Sequence, residues 1–318
     1  MAPKIMRRRR STFSKGRLTA GALALPMAIA ATETTALAQA CCIAPGAAGA
    51  ARLAPSETLL VGVDARAQSP VGTFDAAGRF RSSPAGAREL VLEQNVFGTV
   101  RVLSRGQLTL TIPFVQTLRS AGATSASGGG IGDVRLSARW DLAYADDARP
   151  APGVAVIGGA VAPTGTPPEQ ANDALAAGAT GTGAAQGWGG LALEQAWGPW
   201  LALATATVTV RAEREVGTTR ASLPPRFSTG LLGAYSWRSG IALAAGATYA
   251  LEGRATVDDI TVAGSARRSL TTTIALQLPI GDLGRLVASV FATPPLPAVS
   301  AGEAAPVGAS LALIRPWS

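Results

Sequence analysis

Asp133-Val134-Arg135-Leu136-Ser137-Ala138-Arg139-Trp140-Asp141-Leu142-Ala143-Tyr144 alternates without a break. Val134, Leu136, Ala138, Trp140, Leu142 and Tyr144 fall on one side of an extended chain. Asp133, Arg135, Ser137, Arg139 and Asp141 fall on the other. Such a period of two marks a strand with one apolar and one polar face, where a helix would repeat every 3.6 residues. The pattern recurs. Leu59, Val61, Val63 and Ala65 oppose Gly62, Asp64 and Arg66, and Leu108, Leu110, Ile112 and Phe114 oppose Gln107, Thr109 and Thr111. Ala204, Ala206, Val208 and Val210 oppose Thr205, Thr207, Thr209 and Arg211. Leu270, Thr272, Ile274 and Leu276 oppose Ser269, Thr271, Thr273 and Gln277.

Reading every such run gives about twelve strands, near 56–68, 89–103, 107–118, 132–144, 153–163, 187–197, 200–212, 226–237, 240–252, 267–278, 285–292 and 305–315. Short connections (Ser104-Arg105-Gly106, Gly198-Pro199, Arg238-Ser239, Pro279–Gly284) alternate with long ones around Gly128-Gly129-Gly130, Thr164–Gln186, Glu213–Pro225, Gly253–Ala266 and Thr293–Ala304. An even strand number with short turns on one side and long loops on the other is the rhythm of an outer-membrane barrel. The expected fold is therefore all-β, an up-and-down antiparallel transmembrane β-barrel over residues 55–318. A secreted soluble β-sandwich, the alternative, has no reason to keep that rhythm. Trp140, Tyr144, Trp197, Trp200, Tyr235, Trp237 and Trp317 flank the short connections or end the chain, as an interfacial girdle at the periplasmic rim would. Trp188 and Phe227 are the candidates for the opposite rim.

The beginning of the chain reads as a targeting segment. Arg7–Arg10, Lys15 and Arg17 precede a short apolar run, Leu18–Ala31, and Ala36-Leu37-Ala38 is a small-x-small cleavage site. Residues 1–38 are expected to be a signal peptide and 39–54 a periplasmic segment. The net charge of +8 then falls to +2, with 21 cations against 19 anions, all of the cations Arg. A near-neutral chain lacks the clustered positive charge that nucleic-acid binding needs. The absence of His excludes Ser–His and Cys–His hydrolase chemistry and imidazole metal sites. The absence of Lys beyond the signal excludes a P-loop and a Schiff-base lysine. No enzyme activity, cofactor or metal site is expected. Cys41 and Cys42 follow the cleavage site, where lipidation, a disulfide or no role at all are the alternatives.

Gly130-Ile131-Gly132-Asp133-Val134-Arg135-Leu136 opens one strand, and Ala162-Pro163-Thr164-Gly165 closes the next. Together they resemble the outer-membrane barrels named for the meta-pathway of phenol degradation. Ala40-Cys41-Cys42 and Leu59-Leu60-Val61-Gly62-Val63 look like the myxobacterial members of that group, which are labelled as transporters. The resemblance runs from about residue 40 to the end and marks Gly130, Gly132, Asp133, Pro163, Thr164 and Gly165. It implies passage of small apolar or aromatic compounds. Gly308–Leu313 fits a barrel-assembly signal, although the chain ends Trp317-Ser318 instead of on an aromatic residue. Gly130 and Gly132 also have a local reading, as tight turning where a loop enters a strand. A dinucleotide fingerprint is excluded, since Arg135 occupies the third glycine position and no helix follows.

On the polar faces, Asp64, Arg66, Asp133, Arg135, Arg139, Asp141, Glu194, Arg211 and Glu252 are the candidates to line a lumen. They either form a passage or pair into an ion network that fills it. Asp146-Asp147 and Asp258-Asp259 lack the further oxygen ligands of a calcium loop and read as solvated turns. The leading expectation is a passive channel in the bacterial outer membrane, with lipid, the barrel-assembly machinery and small apolar solutes as partners. A plugged structural or surface-binding barrel is the alternative, and a barrel-embedded hydrolase is disfavoured without His.

Overall fold

A computed structural model describes residues 52–145 and 151–318. Residues 1–38, Cys41, Cys42 and Asp146-Asp147 lie outside the described residues. Twelve strands form a closed ring: β1 (Leu59–Phe74), β2 (Ala87–Val102), β3 (Gly106–Ala121), β4 (Val134–Ala143), β5 (Gly153–Ala162), β6 (Gln186–Trp197), β7 (Trp200–Arg211), β8 (Arg226–Ser236), β9 (Ala242–Glu252), β10 (Arg267–Pro279), β11 (Arg285–Ala292) and β12 (Ala304–Trp317). Each pairs antiparallel with the next. Closure comes from β12 on β1, with Leu59 opposite Trp317 and Gln68 opposite Gly308. Closure satisfies the backbone groups that an open edge would leave bare, the condition for crossing lipid with strands. All twelve sequence-read strands are present.

Facing follows the alternation. Leu136, Leu231, Ile274, Val290 and Leu311 point outward, each at least half exposed, while Asp141, Glu194 and Gln277 point inward and are at most 4% exposed. Apolar surface of this extent around a whole molecule is stable only in contact with lipid. The packed core lies inside the ring, in three clusters. One joins Leu201, Ala234, Ala242, Ala244 and Ala275; a second joins Leu53, Leu60, Phe97, Val287, Ala312 and Ile314; a third joins Ala155, Ile157 and Ala192.

Three departures from the sequence reading concern the external side. The Gly128-Gly129-Gly130 run is strand, not loop: Thr124–Ile131 pairs with the external half of β3, Phe114 opposite Ile131. The register then slips at Gly132-Asp133, and β4 continues against Thr111–Gly106. β1 runs six residues beyond its expected end and pairs there with Phe80–Ser82. Beyond the ring, Arg214–Val216, Thr219–Ser222, Thr256–Val257 and Ile260–Thr261 form a small four-stranded sheet from two external loops. Asp258 and Asp259 turn its last hairpin with φ of 48° and 63°, left-handed values that short polar side chains tolerate.

Candidate functional site

The barrel interior is the site, and it has three levels. At the external level the connection from β5 to β6, residues 163–185, folds against the inward face of the β3–β4 wall. Asp133 anchors it. Its carboxylate accepts the N–H of Gly165 at 3.0 Å, the N–H of Thr182 at 2.7 Å and the Thr182 hydroxyl at 3.0 Å. The Thr164 hydroxyl donates to the Gly132 carbonyl at 2.6 Å and accepts from the Val134 N–H at 3.0 Å. The Thr180 hydroxyl donates to the Ile131 carbonyl at 2.8 Å. Between these anchors the loop's main chain lies on glycine. A Cβ on Gly128 would stand 2.5 Å from Gly178 Cα, and one on Gly132 would stand 3.0 Å from the Thr180 carbonyl oxygen. The glycines therefore serve close backbone approach as well as the bend at the strand. Gly130, Gly132, Asp133, Thr164 and Gly165 converge here, with Pro163 exposed beside them.

Farther out on this loop, Asp173 accepts the N–H groups of Leu175, Ala177 and Gly178 at 3.0, 2.8 and 2.9 Å. These donors, Ala177 first, hold its carboxyl below the usual carboxylate range. Arg119 reaches from β3 to the Leu175 and Ala176 carbonyls at 2.8 Å each and pairs with Glu89 at 2.9 Å.

At the middle level, Arg135 pairs with Glu93 at 3.2 Å, and the Arg66 guanidinium lies 4.1 Å above the Phe291 ring. Asp64 is in electrostatic reach of Glu93 and of both arginines. On the far wall Arg211 pairs with Glu252 at 3.0 Å across β8. Thr205, Thr207, Thr209, Thr248, Thr271 and Thr273 share the inward face of β7, β9 and β10. Trp188 also faces inward: it packs on the Ala155–Ile157–Ala192 cluster, and a Cβ on Gly159 would stand 2.6 Å from its indole nitrogen. That corrects its expected place at the outer rim. Phe227 is outward and 55% exposed.

The periplasmic level is filled. Arg139 pairs with Asp141 at 2.8 Å and with Glu194 at 2.9 Å, and Glu194 also pairs with Arg52. Leu53, 1% exposed, sits in the cluster with Leu60, Phe97, Val287, Ala312 and Ile314, and its N–H donates to the Gln107 side chain at 2.9 Å. Glu57 closes a turn by accepting the Ala54 N–H at 2.8 Å and pairs with Arg285 at 2.7 Å. Arg101 donates to the carbonyls of Glu57 and Ala54 at 2.9 and 2.5 Å. Residues 52–54, read from sequence as periplasmic, thus stand inside the mouth. Outside it, Trp140, Tyr144, Trp197, Trp200, Trp237 and Trp317 are exposed at the strand ends. Trp200, Tyr235 and Trp237 meet edge to face at 4.8 and 4.9 Å.

Of the lumen candidates, Arg139, Asp141 and Glu194 meet in one cluster, Asp64, Arg66 and Arg135 in another, and Arg211 and Glu252 in a third. Asp133 faces inward but is occupied by its loop. Sequence reasoning missed Arg52, Leu53, Glu57, Arg285 and Thr182. Alternation could have placed Arg285 inward, since Val287 follows on the same face, but nothing local marks the others.

No family model and no curated protein matches this chain. Solved structures do. An outer membrane channel from Pseudomonas putida F1 superposes with a TM-score of 0.67 at 16% identity, over 84% of this chain and 100% of that one. The translocator domain of the autotransporter NalP from Neisseria meningitidis gives 0.45 at 10% identity, over 86% and 92%. A mutant of the monoaromatic hydrocarbon channel TodX gives 0.44 at 10% identity, over 83% and 91%. At these identities the likeness is one of fold. The closed ring, its apolar exterior and its polar interior make this chain an outer-membrane β-barrel.

Proposed function

We propose that the barrel is a passive channel for small uncharged compounds, apolar or aromatic ones included, and that it is related to the meta-pathway barrels it resembles in sequence. One observation carries the reading: the inward charges are matched to each other. Arg135 with Glu93, Arg139 and Arg52 with Asp141 and Glu194, and Arg211 with Glu252 cancel locally. A lumen of paired charges and hydroxyls offers an ion no net field, whereas an uncharged solute needs none. In this reading residues 1–38 direct export, Gly308–Leu313 engages the barrel-assembly machinery, and the periplasmic aromatics sit at the lipid headgroups.

Uptake of labelled toluene by lipopolysaccharide-bearing cells with and without the protein tests the proposal. Faster uptake with the protein is expected, together with a reversal potential close to zero under a salt gradient in planar bilayers. Equal uptake refutes it. Arg135→Glu is the informative charge reversal, because Arg135 is half exposed to the interior while Arg139 is buried between two carboxylates. A shift toward cations places Arg135 on an open path. The filled periplasmic mouth favours a second reading, a structural barrel with a plugged lumen. Intact folding with neither uptake nor conductance would support it.

A further inference from the structure

The segment Arg52–Glu57 crosses the periplasmic mouth from one wall to the other. It is tied at one end, where the Thr58 N–H donates to the Trp317 carbonyl at 2.8 Å and β1 begins. From there it touches β2 through Arg101, β11 through Arg285, β3 through Gln107 and, on the opposite side of the ring, β6 through Glu194. A turn over Ala54–Glu57, closed by the Glu57 N–H donating to the Ala54 carbonyl at 2.9 Å, folds the segment into the mouth, and the long Arg52 side chain completes the reach to Glu194. A single large apolar side chain, Leu53, anchors the crossing; the remaining attachments are ion pairs and hydrogen bonds.

The groups around it are poorly matched to a permanent seal. Gln277, 0% exposed and opposite Val287 on β11, has no hydrogen-bond partner for either amide atom. Asp141 Oδ2 and Arg285 Nε are likewise buried without a partner. Buried polar atoms without partners are rare in native interiors, and each one weakens the state that buries it. These atoms line the mouth on three different strands, where water would reach them once the segment withdrew.

We propose that Arg52–Glu57 is a displaceable gate, hinged at Thr58, whose Arg52–Leu53 end leaves the Glu194–Arg139–Asp141 cluster to open the barrel to the periplasm. The inference rests on the channel reading, since a gate needs a path to close. Opening exchanges the Leu53 contacts, the Leu53 N–H bond to Gln107 and the Arg52–Glu194 pair for hydration of Gln277 and Asp141, while Glu57, next to the hinge, stays beside Arg285. Glu194 keeps its pairing to Arg139 when the gate is away, and that one arginine then faces two carboxylates, so the opened mouth carries a net negative charge. Arg139 is here a positioning residue for the latch.

Two measurements on the full-length barrel test gate and channel separately. In a Cys41→Ser, Cys42→Ser background, Leu53→Cys is labelled with a membrane-impermeant maleimide in folded, heat-modifiable protein. Ala312→Cys, buried in the wall of the same cluster, is the fixed control. Labelling at Leu53→Cys at least tenfold faster than at the control is expected, and faster again when Arg52→Glu is added. Equal protection at both positions overturns the gate. In planar bilayers Arg52→Glu is expected to raise the open fraction. Fast labelling without conductance keeps the gate and counts against the channel, whereas conductance with full protection of Leu53→Cys discards the gate and leaves the channel standing.

Discussion

Replacing Leu136 by Arg probes the facing and depth of the barrel together. Leu136 points outward from β4, is 50% exposed, and pairs with Leu110 and Ala160 on the flanking strands. It stands four positions above Trp140, the aromatic at the periplasmic end of the same strand. At ~3.4 Å per residue and a tilt of ~40°, each position climbs roughly 2.6 Å along the membrane normal. Leu136 therefore lies about 10 Å inside an apolar band ~25 Å tall, close to its middle. An arginine there should cost about 2–4 kcal/mol. The same arithmetic puts Val208, eight positions above Trp200, roughly 21 Å up and near the external interface. Val208→Arg should then cost only about 0–1 kcal/mol. For an inward control, Thr207 is half-buried and faces the lumen, whereas Ser137 is 5% exposed and too enclosed to accept an arginine without overpacking. Urea titrations of refolding into bilayers, with heat-modifiable gel mobility as the folded signal, give the free energies. The order Leu136→Arg, then Thr207→Arg and Val208→Arg is expected, with the first clearly worst. Equal losses at Leu136 and Thr207 would refute the assigned facing, and a larger loss at Val208 than at Leu136 would refute the assigned depth.

Three further outcomes are expected. Asp133→Asn leaves the ring folded but weakens the anchoring of residues 163–185, so limited proteolysis should cut that loop faster; an unchanged cutting rate would remove Asp133 from the role of anchor. Because the Asp173 carboxyl is held below its ordinary value by backbone donors, the turn it organises should be intact above the unfolded value near ~3.9 and be lost as pH falls through the lower folded value. Hydrogen exchange at Ala177 and Gly178 reports this, and protection already lost at pH 5 would contradict it. Protease added to intact cells should cut within 163–185, 212–225 or 253–266 and spare 145–152, because the strand ends that flank it, Ala143 and Gly153, are on the side of the short turns; cutting at 145–152 alone would invert the topology.

The ring was legible because each strand crosses the boundary between lipid and interior, and that crossing forces alternation. Where the boundary stops, so does the signal. β1 was read to residue 68 because Ser69-Pro70 breaks the pattern, yet pairing with β12 carries the strand to Phe74. Thr124–Ile131 carries small residues on both faces, so only its pairing with β3 reveals it as strand. The candidate lumen residues could be assigned an inward face one by one, but not a partner. Arg139 finds Glu194 and Arg211 finds Glu252 across strands that are not neighbours in sequence, and tilt and register decide such meetings. The mouth-filling segment was illegible for a related reason. Arg52-Leu53 has no periodicity, and its burial depends on walls contributed by β1, β2, β3, β6 and β11.

The glycine bed beneath residues 173–182 has a consequence for anyone wishing to retune the outer entrance. An opening bounded by side chains can be widened one methylene at a time, by trading large residues for small ones. Here the inner lining at Gly128 and Gly132 is already as small as a residue can be, and main chain rests on main chain. Truncating side chains at that point has nothing left to remove. Enlarging the entrance calls for excising a length of the loop itself, and the accessible bores should change in steps of whole residues.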